Sequence, residues 1–267
     1  MGADIKQLRV RIKSVDSTLH LTKAMGLVAS SKIRRATDKM LKGKEYASAL
    51  KETVELLASY DECQKSPYMR VGEKDQIRLV VIAGDRGLAG GYNANIFRFM
   101  RDFEKAQVIP IGKRACDRFG GKTLYAEKFS FADDKEIAQK ICEDFKKGEF
   151  DKFGIVCTKY HSIMSQEAYV QWLLPLEKSE KGKSASAIFE PDEITVLNRL
   201  IPDYIAGMLV SCVKESFASE VAARKVAMDS AGKNAQEMID RLGLQYNRAR
   251  QGAITQEITE IVAGSGM

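Results

Sequence analysis

Proline is absent from residues 1–66 and again from 203–267, and all five prolines (67, 110, 175, 191 and 202) fall between those limits. Helix interiors tolerate proline least of all residues, so both ends of the chain are free to form very long helices. The N-terminal stretch carries the matching pattern. Ile5, Leu8, Ile12, Val15, Leu19, Thr22, Gly26, Ala29, Ile33, Ala36, Met40, Gly43, Ala47, Leu50, Val54 and Leu57 follow one another in alternating steps of three and four. That is a 3.5-residue period, the seam of a left-handed coiled coil, and Thr22 is its single polar member. A helix over this stretch extends on the order of 80 Å. The middle of the seam (Thr22, Gly26, Ala29, Ala36, Gly43) is small, which lets a partner helix approach closely. An amphipathic helix packed on its own domain satisfies the same pattern.

The C-terminal stretch is less regular. Ala227, Ala231, Ala235, Met238, Leu242, Tyr246, Ala249 and Ala253 are mostly four apart, which favours a helix near a 3.6 period with a narrow face of small residues. Two small faces suit each other. The simplest arrangement is an antiparallel pair of terminal helices, residues 1–60 and 201–267, with a compact domain of residues 61–200 inserted between them.

Between the ends the pattern changes. Strand-like apolar runs at 77–83, 107–111, 153–158 and 168–174 are interspersed with helical ones at 93–105, 113–119 and 134–147, which reads as an α/β layer with a largely parallel, Rossmann-like sheet. Segment 177–190 is polar and rich in Gly, Ser and Lys, and reads as a loop or hairpin. There is no internal repeat.

Composition narrows the class. Hydrophobic residues make up 45% and charged residues 29%, as in soluble globular proteins. The start lacks a signal core, no charge-free apolar stretch approaches the roughly 18 residues of a membrane span, and Lys6 breaks the myristoylation pattern after Gly2. The chain reads as soluble or peripheral to a membrane. Its five cysteines (63, 116, 142, 157, 212) are odd in number and far apart, which disfavours zinc and redox motifs and suits a reducing cytosol. Of the formal net charge of +6, residues 1–44 carry eleven Lys and Arg against three Asp and Glu. This basic segment calls for an acidic partner: nucleic acid, an anionic surface, or an acidic protein segment.

The chemistry of an enzyme is thin. Only His20 and His161 are available, and neither stands beside a nucleophile and an orienting group. "GGKT" at 120–123 ends like a phosphate-binding loop, but the required earlier glycine falls on Cys116. "VVIAGDRGLAGGYNANI", residues 80–96, has a strand, a glycine-rich turn and a helix that Asn93 is placed to cap. Its glycines miss the G-x-G-x-x-G spacing, no lysine follows, and Asp85 repels an anion. It reads as a structural turn or a partner-facing loop.

These residues resemble one family, the gamma subunit of the F-type ATP synthase (bacterial type). "IKSVDSTLHLTKAMGLVASSKIRRA" (12–36) is similar to its N-terminal signature. "DRGLAGGYNANI" (85–96) is similar to its central motif, with Ala89 where many members carry Cys. "ASEVAARKVAMDSAGKNA" (218–235) with "YNRARQGAITQEITEIV" (246–262) is similar to its C-terminal signature. Val221, Lys225 and the closing GSGM depart from the usual pattern.

The resemblance implies a non-catalytic rotor subunit without a cofactor. Its paired terminal helices stand as a shaft inside a ring of alpha and beta subunits, and its α/β domain meets the epsilon subunit and the membrane c-ring. Proton flow then turns the shaft, which drives the beta subunits through their states during ATP synthesis or hydrolysis. On this resemblance, Arg224, Arg250 and Gln251, with Thr255 on the same helix, contact the catalytic head, and Lys23 and Met25 lie at a level near an acidic beta segment. Asp85, Arg86, Tyr92 and Asn93 are expected towards epsilon or the c-ring, and the chain sits on the cytoplasmic face of the cell membrane through its complex. The competing class is a basic coiled-coil protein that binds nucleic acid, against which the chain lacks interleaved aromatics and a dimerised basic region.

Overall fold

A computed structural model of the protein describes residues 2–179 and 189–265. Most of the loop expected at 177–190 lies outside the described residues. The chain forms two compact units, one of residues 31–223 and one of residues up to 30 together with those from 224 onward.

The larger unit is built on a four-stranded sheet. Its strands are β1 (Ile77–Ile82), β2 (Gln107–Ile111), β3 (Lys152–Tyr160) and β4 (Gln166–Leu174). They lie in the order β2-β1-β3-β4, with β1 parallel to both of its neighbours and β4 antiparallel to β3. The sheet is thus largely parallel, closed on one side by a hairpin. β1 is central and covered on both faces, which is why its sequence is almost continuously apolar rather than alternating. Val80 and Ile82 point into one core, while Leu79, Val81 and Ala83 point into the other.

Helices cover both faces. On the second face lie α2 (Tyr92–Phe99), which contributes Tyr92 and Ile96, and α3 (Lys113–Phe119), which contributes Ala115. The first face packs against α4 (Phe131–Lys146) and parts of two long helices, α1 (Gly2–Ala58) and α5 (Glu193–Gly264). α4 begins three residues before the expected run because Ser130 and Asp133 form a reciprocal capping box.

Two expectations need correction at α5. The helix starts at Glu193, so the expected border at 200/201 falls inside it, and Pro202 sits within it. Asp192 caps its start, accepting from the Thr195 N–H at 2.8 Å. A mid-helix proline costs about 3 kcal/mol; burying a side chain such as Leu197, Ile201, Ile205 or Leu209 contributes roughly 1.5–3 kcal/mol, and all four are fully buried. Packing therefore overrides propensity. α5 also contains a window long and apolar enough to cross a membrane, 61% of it buried inside the protein. The apolar surface is core, which a search for charge-free runs passes over.

In the larger unit the two long helices run antiparallel, with Lys44 against Glu215 and Leu50 beside Gly207. The smaller unit is an antiparallel pair on its own. Leu19 and Thr22 face Gly232, and Gly26 faces Met228 and Asp229. Every seam position from Ile5 to Leu57 is buried or half-buried. The polar member, Thr22, is accommodated because its hydroxyl donates to the Leu19 carbonyl at 2.9 Å. On α5 the expected small face holds except at Met238, which is exposed; Ile239 is half-buried in its place.

Candidate functional site

The glycine-rich turn after β1 is held by its own side chains. Asn93 does not cap α2, whose first turn follows Gly91 without a side-chain cap. Its Oδ1 instead accepts from the Gly84 N–H at 2.9 Å, tying the end of β1 to α2. The Asp85 carboxylate accepts from the backbone N–H groups of Lys113, Ala126 and Glu127 at 3.1, 3.0 and 2.8 Å. Free N–H groups at a helix start are the usual seat of a phosphate. Here the chain's own carboxylate takes up one such group, that of Lys113 at the start of α3, together with two from the turn at residues 126–127. Gly112, just before α3, has φ +90°, and a Cβ there would lie 1.9 Å from the Ala83 carbonyl oxygen, so the close strand–helix approach requires glycine. Glu220 from α5 lies against Gly84, adding a second carboxylate beside the turn.

Tyr92, expected at a partner surface, is buried instead; its hydroxyl donates to the Ser216 carbonyl at 3.0 Å, and burial pushes its ionisation far upward. It anchors the domain internally. Arg86 is exposed and pairs with Glu127 at 3.2 Å, and Lys32 on α1 meets the same carboxylate at 2.7 Å. Asp85 and Asn93 are half-buried.

The remaining named residues all lie in the smaller unit. Lys23 is exposed and Met25 half-buried on α1; Arg224 is half-buried on α5, next to the Lys225–Asp229 ion pair. Further along α5, Arg250, Gln251 and Thr255 are exposed, and the Thr255 hydroxyl donates to the Gln251 carbonyl at 2.9 Å. Sequence reasoning passed over what surrounds them. Leu21, Leu27 and Val28 on α1, and Leu244, Ile254, Ile258, Ile261 and Val262 on α5, are large and exposed. Their non-seam positions were the available signal.

The cysteines and histidines sit in contrasting surroundings. All five cysteines are free and buried, and burial pushes the Cys63 and Cys142 thiols up to about 11, so they are not thiolates at neutral pH. His20 and His161 are exposed, beside Asp16 at 3.8 Å and Glu167 at 3.3 Å. No group of three or more metal-ligating side chains gathers among the described residues.

Known proteins agree with this architecture. A family model described as ATP synthase matches residues 4–266. The ATP synthase gamma chain of Ruminococcus albus is 41% identical, over 98% of both chains. That of Desulforamulus reducens is 37% identical, again over 98% of both, and the sodium-ion-specific gamma chain of Acetobacterium woodii is 35% identical over 99% of both. Among solved structures, a chain of the Euglena gracilis mitochondrial ATP synthase rotor is similar in fold at TM-score 0.64 and 19% identity, covering 95% of this chain and all of that one. Sequence identity at this level along the full length leaves one assignment: the chain belongs to the ATP synthase gamma-chain family.

Proposed function

We propose that the chain is the central-stalk rotor of a proton-translocating F-type ATP synthase, passing torque between the membrane c-ring and the catalytic alpha/beta head. It carries no catalytic residues of its own; nucleotide chemistry belongs to the head. The observation that supports this most directly is the outward face of the smaller unit, where cationic and large apolar side chains surround a slim seam. So many large apolar side chains exposed on one helix pair suit a protein partner, and Lys23, Met25, Arg224, Arg250, Gln251 and Thr255 are the residues proposed to meet the head. The basic α1 surface complements an acidic segment of the beta subunit, and with the family established the nucleic-acid reading has nothing further to support it. Arg86, with Asp85 and Asn93 supporting the loop behind it, is proposed to face epsilon or the c-ring. The complex places the chain at the cytoplasmic face of the cell membrane, as a peripheral subunit that also regulates ATPase activity.

A rotor acts by contacting chemically identical partners unequally, because only differential contacts shift a conformational equilibrium. Arg250 and Gln251 stand about 100° apart on α5 and together present donors over a broad face. A hydrogen bond to a charged group is worth roughly 1.5–3 kcal/mol. Replacing both by Ala is expected to slow ATP hydrolysis and ion-driven synthesis in the assembled complex, with subunit stoichiometry unchanged. Wild-type rates in a fully assembled complex would show that these two residues are a solvated face.

A further inference from the structure

At the end of β3 the sheet runs out of partners. β1 stops at Ile82, its last pairing with β3 being Val81 to Val156, while β3 continues to Tyr160. Thr158 and Tyr160 therefore point backbone groups at a vacant edge, and buried backbone groups must find partners. α5 supplies them with side chains. Ser216 Oγ accepts from the Thr158 N–H at 3.1 Å, Ser219 Oγ donates to the Thr158 carbonyl at 3.2 Å, and Glu215 Oε1 accepts from the Tyr160 N–H at 2.9 Å. The same Oε1 holds Lys44 Nζ of α1 at 2.7 Å. Glu215, Ser216, Ser219 and Thr158 are all buried. One carboxylate thus joins both long helices and the sheet, and three consecutive contacts let a helix stand in for a missing strand.

We infer that Glu215, with Ser216 and Ser219, is the clamp through which load passes between the α/β domain and the long helices. The inference rests on the rotor reading and names where, within the larger unit, that reading requires stiffness. Apolar contacts resist separation but let surfaces slide, whereas directional hydrogen bonds to a strand backbone fix register. Ser216, Ser219 and Glu215 lie on one face of α5 at spacings of three and four. They are positioning residues: they touch no nucleotide and act by holding the sheet to the helices.

The test uses the complete complex in sealed vesicles, with variants Glu215→Ala, Glu215→Gln and the double variant Ser216→Ala/Ser219→Ala. Two quantities are read: ions pumped per ATP hydrolysed, and backbone amide exchange at Thr158 and Tyr160. Losing a buried partner is expected to speed exchange at these amides by about tenfold or more. Ions pumped per ATP are expected to fall several-fold in Glu215→Ala and in the double variant, while hydrolysis by the detached head stays at the wild-type rate. Glu215→Gln keeps an acceptor for the Tyr160 N–H and is expected to recover most of the lost coupling. An unchanged ratio despite faster exchange, unchanged exchange, or equal loss of hydrolysis and pumping in all variants would each overturn the clamp. Coupling that persists in a complex lacking the chain altogether would instead overturn the rotor reading.

Discussion

The two units bury different things for different ends. The larger one encloses bulky side chains between a sheet and helices on both faces, with Phe150, Phe153, Leu79, Ile96, Ile141 and Leu197 at or near zero exposure. The smaller one buries little beyond Leu19, Thr22, Ala29, Met228, Ala235 and Leu242, and turns Leu27, Ile261 and Val262 outward at 73%, 69% and 65% exposure. A domain whose stability comes from its own core needs no partner to hold its shape. A pair of helices with a thin seam and a sticky exterior has inverted that arrangement, and its apolar surface is available for a neighbour to cover.

The inversion can be broken by paired truncations. Phe153→Ala removes a fully buried ring from the larger unit and is expected to cost about 3–5 kcal/mol in urea unfolding of the purified chain. Ile258→Ala removes a comparably apolar side chain from the smaller one. It is expected to change stability by less than about 0.5 kcal/mol, yet to weaken retention of the chain in the assembled head. Equal stability losses would mean that the outward residues are core after all.

Glycines sharpen the contrast through the sign of the effect. Gly112→Ala must move the Ala83 carbonyl and adopt a left-handed backbone, and is expected to destabilise by at least about 2 kcal/mol. At Gly26 a Cβ would meet Asp229 and Met228 at 3.5 and 3.6 Å, ordinary contact distances. Gly26→Ala should therefore stabilise by up to about 1 kcal/mol through helix propensity. Destabilisation there would show that the seam of the smaller unit is packed as tightly as the core of the larger.

A further, modest effect is local to the larger unit. Ser130→Ala removes the cap of α4 and is expected to cost about 1 kcal/mol at neutral pH. The hydrogen bonds from the Ser130 hydroxyl and backbone hold the Asp133 carboxyl below its usual range. A depressed folded-state pKa gives stability that is present above the unfolded carboxylate value and lost as pH falls through the folded one. The gap between variant and wild type should therefore narrow in acid; a gap independent of pH would show that Asp133 takes no part in the cap.

Legibility followed periodicity. The seam from Ile5 to Leu57 was readable because each position repeats the same demand, and the apolar runs of β1, β2, β3 and β4 were readable for the same reason. Single-position features were not. Pro202 reads as a helix boundary, but its neighbours' burial decides the matter. Asn93 beside a glycine turn reads as a cap until Gly84 offers a nearer donor. Met238 fits a four-residue step, but helix pairing shifts the buried position to Ile239. Tyr92 reads as a surface aromatic because nothing in its local sequence announces Ser216, 124 residues away. Of the candidate site, the charged residues stood out in the motifs, whereas the exposed apolar ones became visible only once the seam had claimed its own positions.

The Asp85 carboxylate carries one more consequence. A ligand built into the chain competes at an effective concentration, which for short tethers reaches the millimolar range, and this one is held in place by three backbone N–H groups. A free anion seeking the same donors must first displace it. Two of the three donors lie in the turn at residues 126–127 and one at the start of α3, so a single carboxylate fastens two separate segments to the end of β1. The loop is thereby locked from within, its donors already taken up by the chain itself.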